Sequence, residues 1–290
     1  MSIVKLGHAE VKVTDLDRSL RYYSEIMGLD VTEEASGHAF LHAADAHHEI
    51  TLTQAERPGL EHYSWRVGSP EDLQHYAAVL VEHGFETNWF EGEPGQDVGL
   101  RFVDPSGMTT ELYWHMDPAT GHGSRRGISP ERISHIVIAT SAIEEFIALY
   151  RDVLGFSVSD YIKAPGGGSV GCFMRCNPDH HSLAVLHAPV PGALHHIAWY
   201  VPSFDGLKDA ADVLADTGNE IEFGPGRHGI GANTYLYFRD PDRMRLEATG
   251  EMMFIPDTDY EPCIWKAEEF GKALSAWGQV PPESFRTEAV

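Results

Sequence analysis

Cysteines and cations are scarce in this sequence, and long apolar runs are missing. Only Cys172, Cys176 and Cys263 occur in 290 residues. An odd, sparse count builds no disulfide framework. Cys172 and Cys176 are four apart on a strand, without zinc-finger spacing, and packing accounts for them. Lysine and arginine number 21 against 44 aspartates and glutamates, a net charge of −23. Such a chain repels phosphate, which argues against nucleic acid and anionic membrane as partners. No apolar run approaches the ~18–20 residues that span a bilayer. The opening MSIVKLGHAEVKV lacks the basic-then-apolar pattern of a secretory signal, so the cytoplasm is the expected compartment. With 42% apolar residues the chain can bury a core. At ~100–200 residues per domain, its length implies two domains.

Histidine is abundant instead: 17 occur, several in adjacent pairs. It is the commonest metal ligand and the side chain that titrates nearest neutrality.

One unit is written four times. Each copy opens with an alternating strand, then a cap residue and an amphipathic helix ending at glycine. The helices run Thr14 to Gly28, Ser69 to Gly84, Thr140 to Gly155 and Ser203 to Gly218. Thr14, Ser69 and Ser203 are the expected N-caps, Pro70 suits the first helical position, and the glycines suit left-handed C-termini. Three short alternating runs follow each helix, such as HAFLHA, HEITLT, NTYLYF and MRLEAT. They read as a three-strand meander, so the unit is βαβββ. At a second level GLEHYSWRV resembles GALHHIAWYV, and FVDPSGMTTEL resembles FRDPDRMRLEA. The fold class is therefore α+β, two domains of two paired βαβββ modules. The domains are residues 1–115 and 131–250, joined by a Gly- and Pro-bearing linker over 116–130. Residues 251–290 form a tail expected to wrap the second domain.

Three residues of the second domain fall at equivalent ends of its modules. His135 lies in the opening strand of one module, His196 in the opening strand of the next, and Glu247 in a closing strand. Modules packed face to face would gather them around one cavity. Two imidazoles and a carboxylate on one face of a metal leave its other positions open, which suits non-haem Fe(II). Taken singly, a strand histidine is more often a satisfied core residue. His195 adds an ambiguity, since alternation turns one ring of the His195–His196 pair inward without saying which. His181, His228 and Tyr237 fit the same cavity, where histidine and tyrosine can move protons and hold a phenolate oxygen.

GRHGIGANTYLYFRDPDRMRLE resembles the C-terminal signature of the type I extradiol ring-cleavage dioxygenases, members of the vicinal oxygen chelate superfamily. CNPDHHSLAVLHAPVPGALHHIAWYV is similar to the corresponding stretch of the catechol- and dihydroxybiphenyl-type members. The resemblance covers residues 1–250. It implies Fe(II), or Mn(II), held by His135, His196 and Glu247, and so selects the second histidine of the 195–196 pair. It implies His181 as the acid–base histidine, with His228 and Tyr237 near substrate. It implies a catechol and O2 as reactants, ring opening beside the diol, aromatic-compound degradation and a homo-oligomer. Val137 replaces the Asn found in some homoprotocatechuate-type members and favours the biphenyl-like branch. Two other readings keep the fold and metal: cleavage of a hydroquinone, or a glyoxalase-like isomerase, which would need a fourth protein ligand. A third is a metal-free module that sequesters a small molecule.

The first domain repeats part of the set. His8, His62, Glu111 and His48 match His135, His196, Glu247 and His181. However, GEPGQDVGLRF offers no counterpart of His228 and puts Arg101 where Tyr237 would be. A second metal site at His8, His62 and Glu111 stays open, but this difference and the resemblance, whose N-terminal domain is usually a relic without metal, imply a non-catalytic first domain with its polar residues lining a remnant cavity. APGGGSVG lacks the Lys-Ser/Thr of a phosphate loop and reads as a hairpin turn. Trp265 and Trp277 in the tail either shield the pocket or pack on the second domain.

Overall fold

The computed structural model describes residues 2–119 and 126–289, Arg286 by its backbone alone. The centre of the expected linker, residues 120–125, lies outside the described residues. The first module contains β1 (Ile3–Val13), α1 (Leu16–Arg21), β2 (Asp30–Ala35), β3 (His38–His42) and β4 (Ile50–Gln54). The second contains β5 (Gly59–Val67), α2 (Pro70–Glu82), β6 (Asn88–Glu91), β7 (Val98–Val103) and β8 (Thr109–Tyr113). The third contains β9 (Arg132–Thr140), α3 (Ile143–Ala148), β10 (Ser157–Lys163), β11 (Ser169–Arg175) and β12 (Leu183–His187). The fourth contains β13 (Ala193–Tyr200), α4 (Phe204–Asp216), β14 (Ile221–Arg227), β15 (Thr234–Arg239) and β16 (Arg245–Gly250). The tail adds β17 (Cys263–Lys266), α5 (Phe270–Leu274) and α6 (Glu283–Thr287). The βαβββ unit is thus present four times.

The modules do not pack face to face. They join edge to edge, opening strand against opening strand, as antiparallel pairs β1–β5 and β9–β13. One sheet runs β2-β3-β4-β1-β5-β8-β7-β6, the other β14-β15-β16-β13-β9-β12-β11-β10-β17. Each opening strand also pairs in parallel with the closing strand of its own module. Backbone hydrogen bonding therefore continues across the module boundary, and two long sheets replace four small ones.

Ser69 and Ser203 cap α2 and α4, accepting from Asp72 N and Gly206 N. Asp15, not Thr14, caps α1, accepting from Arg18 N at 3.0 Å. The Asp15 carboxylate suits the positive end of the helix, and the Thr14 hydroxyl turns instead to Asp242 of the second domain. The regular α-turns of α1 and α3 are short. Each runs on into a π-helical turn, Tyr22–Ile26 and Leu149–Val153, that buries Tyr22, Tyr23, Leu149 and Tyr150. All four terminal glycines have positive φ, from 72° at Gly218 to 85° at Gly84.

One apolar core runs through both sheets. The contact between halves follows a pseudo-twofold exchange. Tyr23, from the first module's helix, donates to Asp240 of the fourth module at 3.0 Å. Tyr150, from the third module's helix, meets Tyr63 at 2.5 Å and Thr110 at 3.2 Å in the second. Tyr63 in turn donates to Asp104 at 2.6 Å. Asp104 and Asp240 are the acidic residues of the two repeated Asp-Pro turns. The tail returns over the second sheet: β17 pairs in parallel with β10. Arg245, fully buried, donates to the Ser284 and Glu288 carbonyls and pairs with Glu222, fastening α6.

Candidate metal centre and active site

Five neighbouring strands carry the site. Tyr237 on β15 is the register partner of Glu247 on β16, and Ala198 on β13 is flanked by Glu247 on one side and His135 of β9 on the other. His196 lies two residues before Ala198. His181 stands just before β12, the next strand beyond β9, with its ring centroid 4.3 Å from that of His135. All of these side chains are buried. The four non-adjacent chain positions of Tyr237, Glu247, His196 and His135 become adjacent because β13 and β9 are the two opening strands that join the modules.

The ambiguity of His195 and His196 is resolved by a bulge. Strand pairing steps from Leu194–Ile138 to His196–Val137, leaving His195 as the extra residue. A bulge suspends simple alternation, so both rings are buried and meet Nδ1 to Nδ1 at 2.7 Å. His195 Nε2 lies 2.9 Å from the Phe285 carbonyl. A carbonyl only accepts, so the network assigns the His195 proton to Nε2. Its Nδ1 then accepts from His196 Nδ1–H, and His196 Nε2 is left with a free lone pair.

That lone pair points into a triangle. His196 Nε2 and His135 Nε2 stand 3.3 Å apart, and each is 3.1 Å from Glu247 Oε2. Despite this proximity Oε2 is buried without a hydrogen-bond partner. Glu247 Oε1 is approached by Asn233 Nδ2 at 3.4 Å. Three adjacent positions around a six-coordinate first-row ion with bonds of ~2.1 Å stand about 3.0 Å apart. The edges of the triangle, the bare nitrogen and the orphaned carboxylate oxygen all fit a divalent cation. Burial holds the His196 imidazole down at about 4, against the pull of Glu247. Burial also raises Glu247, but the two imidazoles outweigh it and hold the carboxyl well below its usual range. His196 thus offers a neutral nitrogen and Glu247 an ionised oxygen, the protonation states that a metal requires of them.

Beside this triangle lies a cavity. It is lined by His181, His228, Tyr237, Val137, Phe173 and Leu186 among others, and by Ala273, Leu274 and Phe285 from the tail. His228 Nδ1 lies 2.5 Å from the Leu274 carbonyl and its Nε2 lies 3.0 Å from Tyr237 Oη. The carbonyl accepts from Nδ1–H of the neutral ring, so Tyr237 O–H donates to His228 Nε2. Burial lowers His228, and burial followed by the Glu247 charge raises Tyr237 well above its usual value, so the phenol stays protonated. Burial, then the neighbouring His135 and His180, keep His181 neutral.

The first domain brings its matching residues together as well. His8 Nε2 and His62 Nε2 are 3.0 Å apart, and lie 3.5 and 3.3 Å from the two Glu111 oxygens. Its carboxylate, however, is occupied. Arg101, the register partner of Glu111 just as Tyr237 is of Glu247, donates to Oε2 at 2.9 Å, and Gln96 donates to Oε1 at 2.9 Å. A guanidinium thus stands against the oxygen that is bare in the second domain. Burial lifts Glu111 to about 7, with Arg101 opposing. The two cavities also differ in size, about 410 Å³ here against about 40 Å³ over the second triangle. Among the described residues, none of the tail lines the larger one.

Sequence reasoning met His195 only as an ambiguity beside His196, and it missed the other groups that set proton positions: His180 and Asp160, and the tail carbonyls of Leu274 and Phe285. The doubled histidines were the available signal. Trp265 packs on the second domain and bonds Asp160 at 2.6 Å, while Trp277 packs on Phe204; neither lines the cavity. Cys172 is buried in the core, as expected; of the expected turn over Ala164 to Gly171, Ala164 to Gly168 form the β10–β11 turn and Ser169 to Gly171 already belong to β11.

The family model for the Glyoxalase/Bleomycin resistance protein/Dioxygenase superfamily matches residues 5–112 and 132–248. Among relatives, the manganese-dependent 2,3-dihydroxybiphenyl 1,2-dioxygenase of Geobacillus genomosp. 3 is 32% identical over 95% of this chain and 94% of its own. The iron-dependent extradiol dioxygenase of Rhodococcus jostii is 25% identical over 96% of this chain and 97% of its own. Among solved structures, homoprotocatechuate 2,3-dioxygenase from Arthrobacter globiformis superposes with a TM-score of 0.92 at 28% identity, covering 99% of this chain and 92% of that one. The Mn(II)-bound glyoxalase from Novosphingobium aromaticivorans superposes with a TM-score of 0.88 at 27% identity, covering 98% and 94%. With both halves matched by one family model, and two sheets of paired βαβββ modules, the chain belongs to the Glyoxalase/Bleomycin resistance protein/Dioxygenase superfamily.

Proposed function

We propose that this protein is an extradiol ring-cleaving dioxygenase of aromatic catabolism, working in its second domain on a catechol. One observation carries the reading: the His135–His196–Glu247 triangle, with its bare Glu247 oxygen, faces a cavity that also holds His181 and the His228–Tyr237 pair. We assign His135, His196 and Glu247 as ligands of a divalent metal, Fe(II) by preference and Mn(II) as the alternative, since this donor set accepts both. When bound, such an ion supplies Lewis acidity and open positions at which a diol and O2 are held together. The chain's own groups do the rest. His181, neutral and buried, takes a proton from a catechol hydroxyl and returns it to oxygen as the ring opens beside the diol. Tyr237, kept protonated and bonded to His228, orients a substrate oxygen. Val137, Phe173 and Leu186 give the cavity an apolar wall, which limits water beside the site. The first domain is assigned no catalysis, because Arg101 occupies the place of Tyr237 and engages Glu111.

The similarity to a Mn(II)-bound glyoxalase favours an isomerase as the second reading. Among the described residues, the second-domain cluster offers three ligands and no fourth, which speaks for ring cleavage.

The test is anaerobic reconstitution with Fe(II) or Mn(II), followed by air-saturated buffer and a panel of catechols and hydroquinones. O2 uptake and the yellow cleavage product are recorded for wild type, His196→Ala and His62→Ala. Uptake matched by yellow product, abolished in His196→Ala and retained in His62→Ala, is the expected result. Bound metal without uptake on any catechol would sink the substrate class and move the weight to hydroquinones or the isomerase.

A further inference from the structure

Three pairs of adjacent histidines share one arrangement. In His47–His48, His180–His181 and His195–His196 the rings meet Nδ1 to Nδ1, at 3.0, 3.1 and 2.7 Å. In each such contact one nitrogen gives a proton and the other accepts it. Which one gives is decided at the far side of the outer ring. For His180, the far nitrogen Nε2 lies 3.1 Å from Asp160 Oδ1. The other Asp160 oxygen accepts from Trp265 Nε1 at 2.6 Å. A carboxylate only accepts, so a neutral His180 carries its proton on Nε2 and leaves its Nδ1 bare. His181 must then carry its proton on Nδ1, and its Nε2 is left free.

The arrangement is rigid. His180 and Asp160 are buried, and neither lines the cavity. The His180 backbone is held at both ends, its N–H by the Met253 carbonyl at 3.0 Å and its carbonyl by Ser159 Oγ at 2.5 Å. Asp160 sits on β10 at the point where the tail strand β17 joins the sheet, so Trp265 reaches it from the tail.

We infer that His180 and Asp160 are positioning residues for ring cleavage, fixing His181 in the one neutral tautomer whose Nε2 can receive a substrate proton. The inference deepens the reading above and rests on it for the role of His181. The proton balance is simple. His181 Nε2 accepts the catechol hydroxyl proton while its Nδ1–H stays bonded to His180, and the same Nε2–H is given back later in the cycle. His180 and Asp160 neither gain nor lose a proton. With the opposite tautomer, Nε2 would already be protonated and His181 could not act as the base.

Asp160→Asn tests this directly. Trp265 Nε1–H needs an acceptor, so the new amide keeps its oxygen toward the indole and turns its NH2 toward His180 Nε2. His180 must then move its proton to Nδ1, and His181 must move its own to Nε2. The readout is the 15N chemical shifts and two-bond 1H–15N correlations of 15N-histidine-labelled, metal-free full-length protein, with His181→Gln for assignment. Wild type is expected to show His181 protonated at Nδ1 and bare at Nε2, and Asp160→Asn to show the reverse. In metal-loaded protein kcat is expected to fall about 100-fold in Asp160→Asn, with KM within a few-fold. His181 protonated at Nε2 in wild type overturns the inference, as do unchanged His181 signals or unchanged kcat in Asp160→Asn. Should circular dichroism find that variant unfolded, His180→Phe removes the acceptor instead. Mixed His181 tautomers are expected there, and a single unchanged tautomer overturns the inference. A wild type with the expected tautomer but no turnover on any catechol would fail the ring-cleavage reading and leave the proton assignment standing.

Discussion

Glu247 and Glu111 hold the same position in their modules, and one neighbour separates their chemistry. Glu247 faces a phenol that keeps its proton, so one carboxylate oxygen is left bare. Glu111 faces a guanidinium, which neutralises it within the protein. Arg101→Ala would leave a fully buried carboxylate without its cation, a loss on the order of 3 kcal/mol. The pH dependence has a definite sign. Glu111 is raised from 4.5 to about 7, so the folded state holds its proton longer than the unfolded chain, and stability declines as pH climbs through that interval. Without Arg101 the carboxyl rises further. Urea unfolding is therefore expected to show a larger deficit for Arg101→Ala at pH 8 than at pH 5, and an equal deficit at both would contradict this assignment. At the residue scale, residue type and module position brought the two triads into view, and the family resemblance selected His196 over His195. The proton-setting partners His180, Asp160 and His195 were not. Their roles depend on a bulge and on side-chain hydrogen bonds that no periodicity encodes.

At the scale of elements, the helix-ending glycines divide by their surroundings. Gly84 and Gly28 both have positive φ, 85° and 77°. A Cβ at Gly84 would meet nothing within 4 Å, whereas one at Gly28 would lie 2.0 Å from the Arg126 carbonyl oxygen, where the linker crosses behind α1. Gly84→Ala is expected to cost about 1 kcal/mol for the left-handed backbone alone. Gly28→Ala should cost on the order of 3 kcal/mol, because the linker must also move. Equal urea midpoints for the two variants would refute the linker's part. The sequence pattern of strand, helix, glycine and meander anticipated the order of elements in the four modules. It missed the π-turns that bury Tyr22 and Tyr150, because a widened turn keeps the apolar spacing of the helix it ends. It also missed β17, whose four residues pair only because the β10 edge is there to receive them.

For the whole molecule, the two halves share one core and exchange helix tyrosines across it. Cooperative unfolding follows, with a single calorimetric transition expected instead of one per half. Tyr23→Phe removes the donor to buried Asp240 and is expected to lower stability by about 1–3 kcal/mol while keeping that single transition. Two resolved transitions in wild type would show the halves to be energetically separate. The repeat in the sequence made two domains visible, but the way they embrace was hidden, since edge-to-edge joining and cross-packing depend on register and shape. The placing of the tail has a consequence for how the protein comes to be. A ribosome that has delivered residue 250 has made all four modules and the whole of the second triangle. The carbonyls that orient His228 and His195, and the indole that braces Asp160, emerge only with Leu274, Phe285 and Trp265. The centre is therefore finished last, after the scaffold that carries it, so a nascent chain passes through a stage with its ligands in place and its protons not yet assigned.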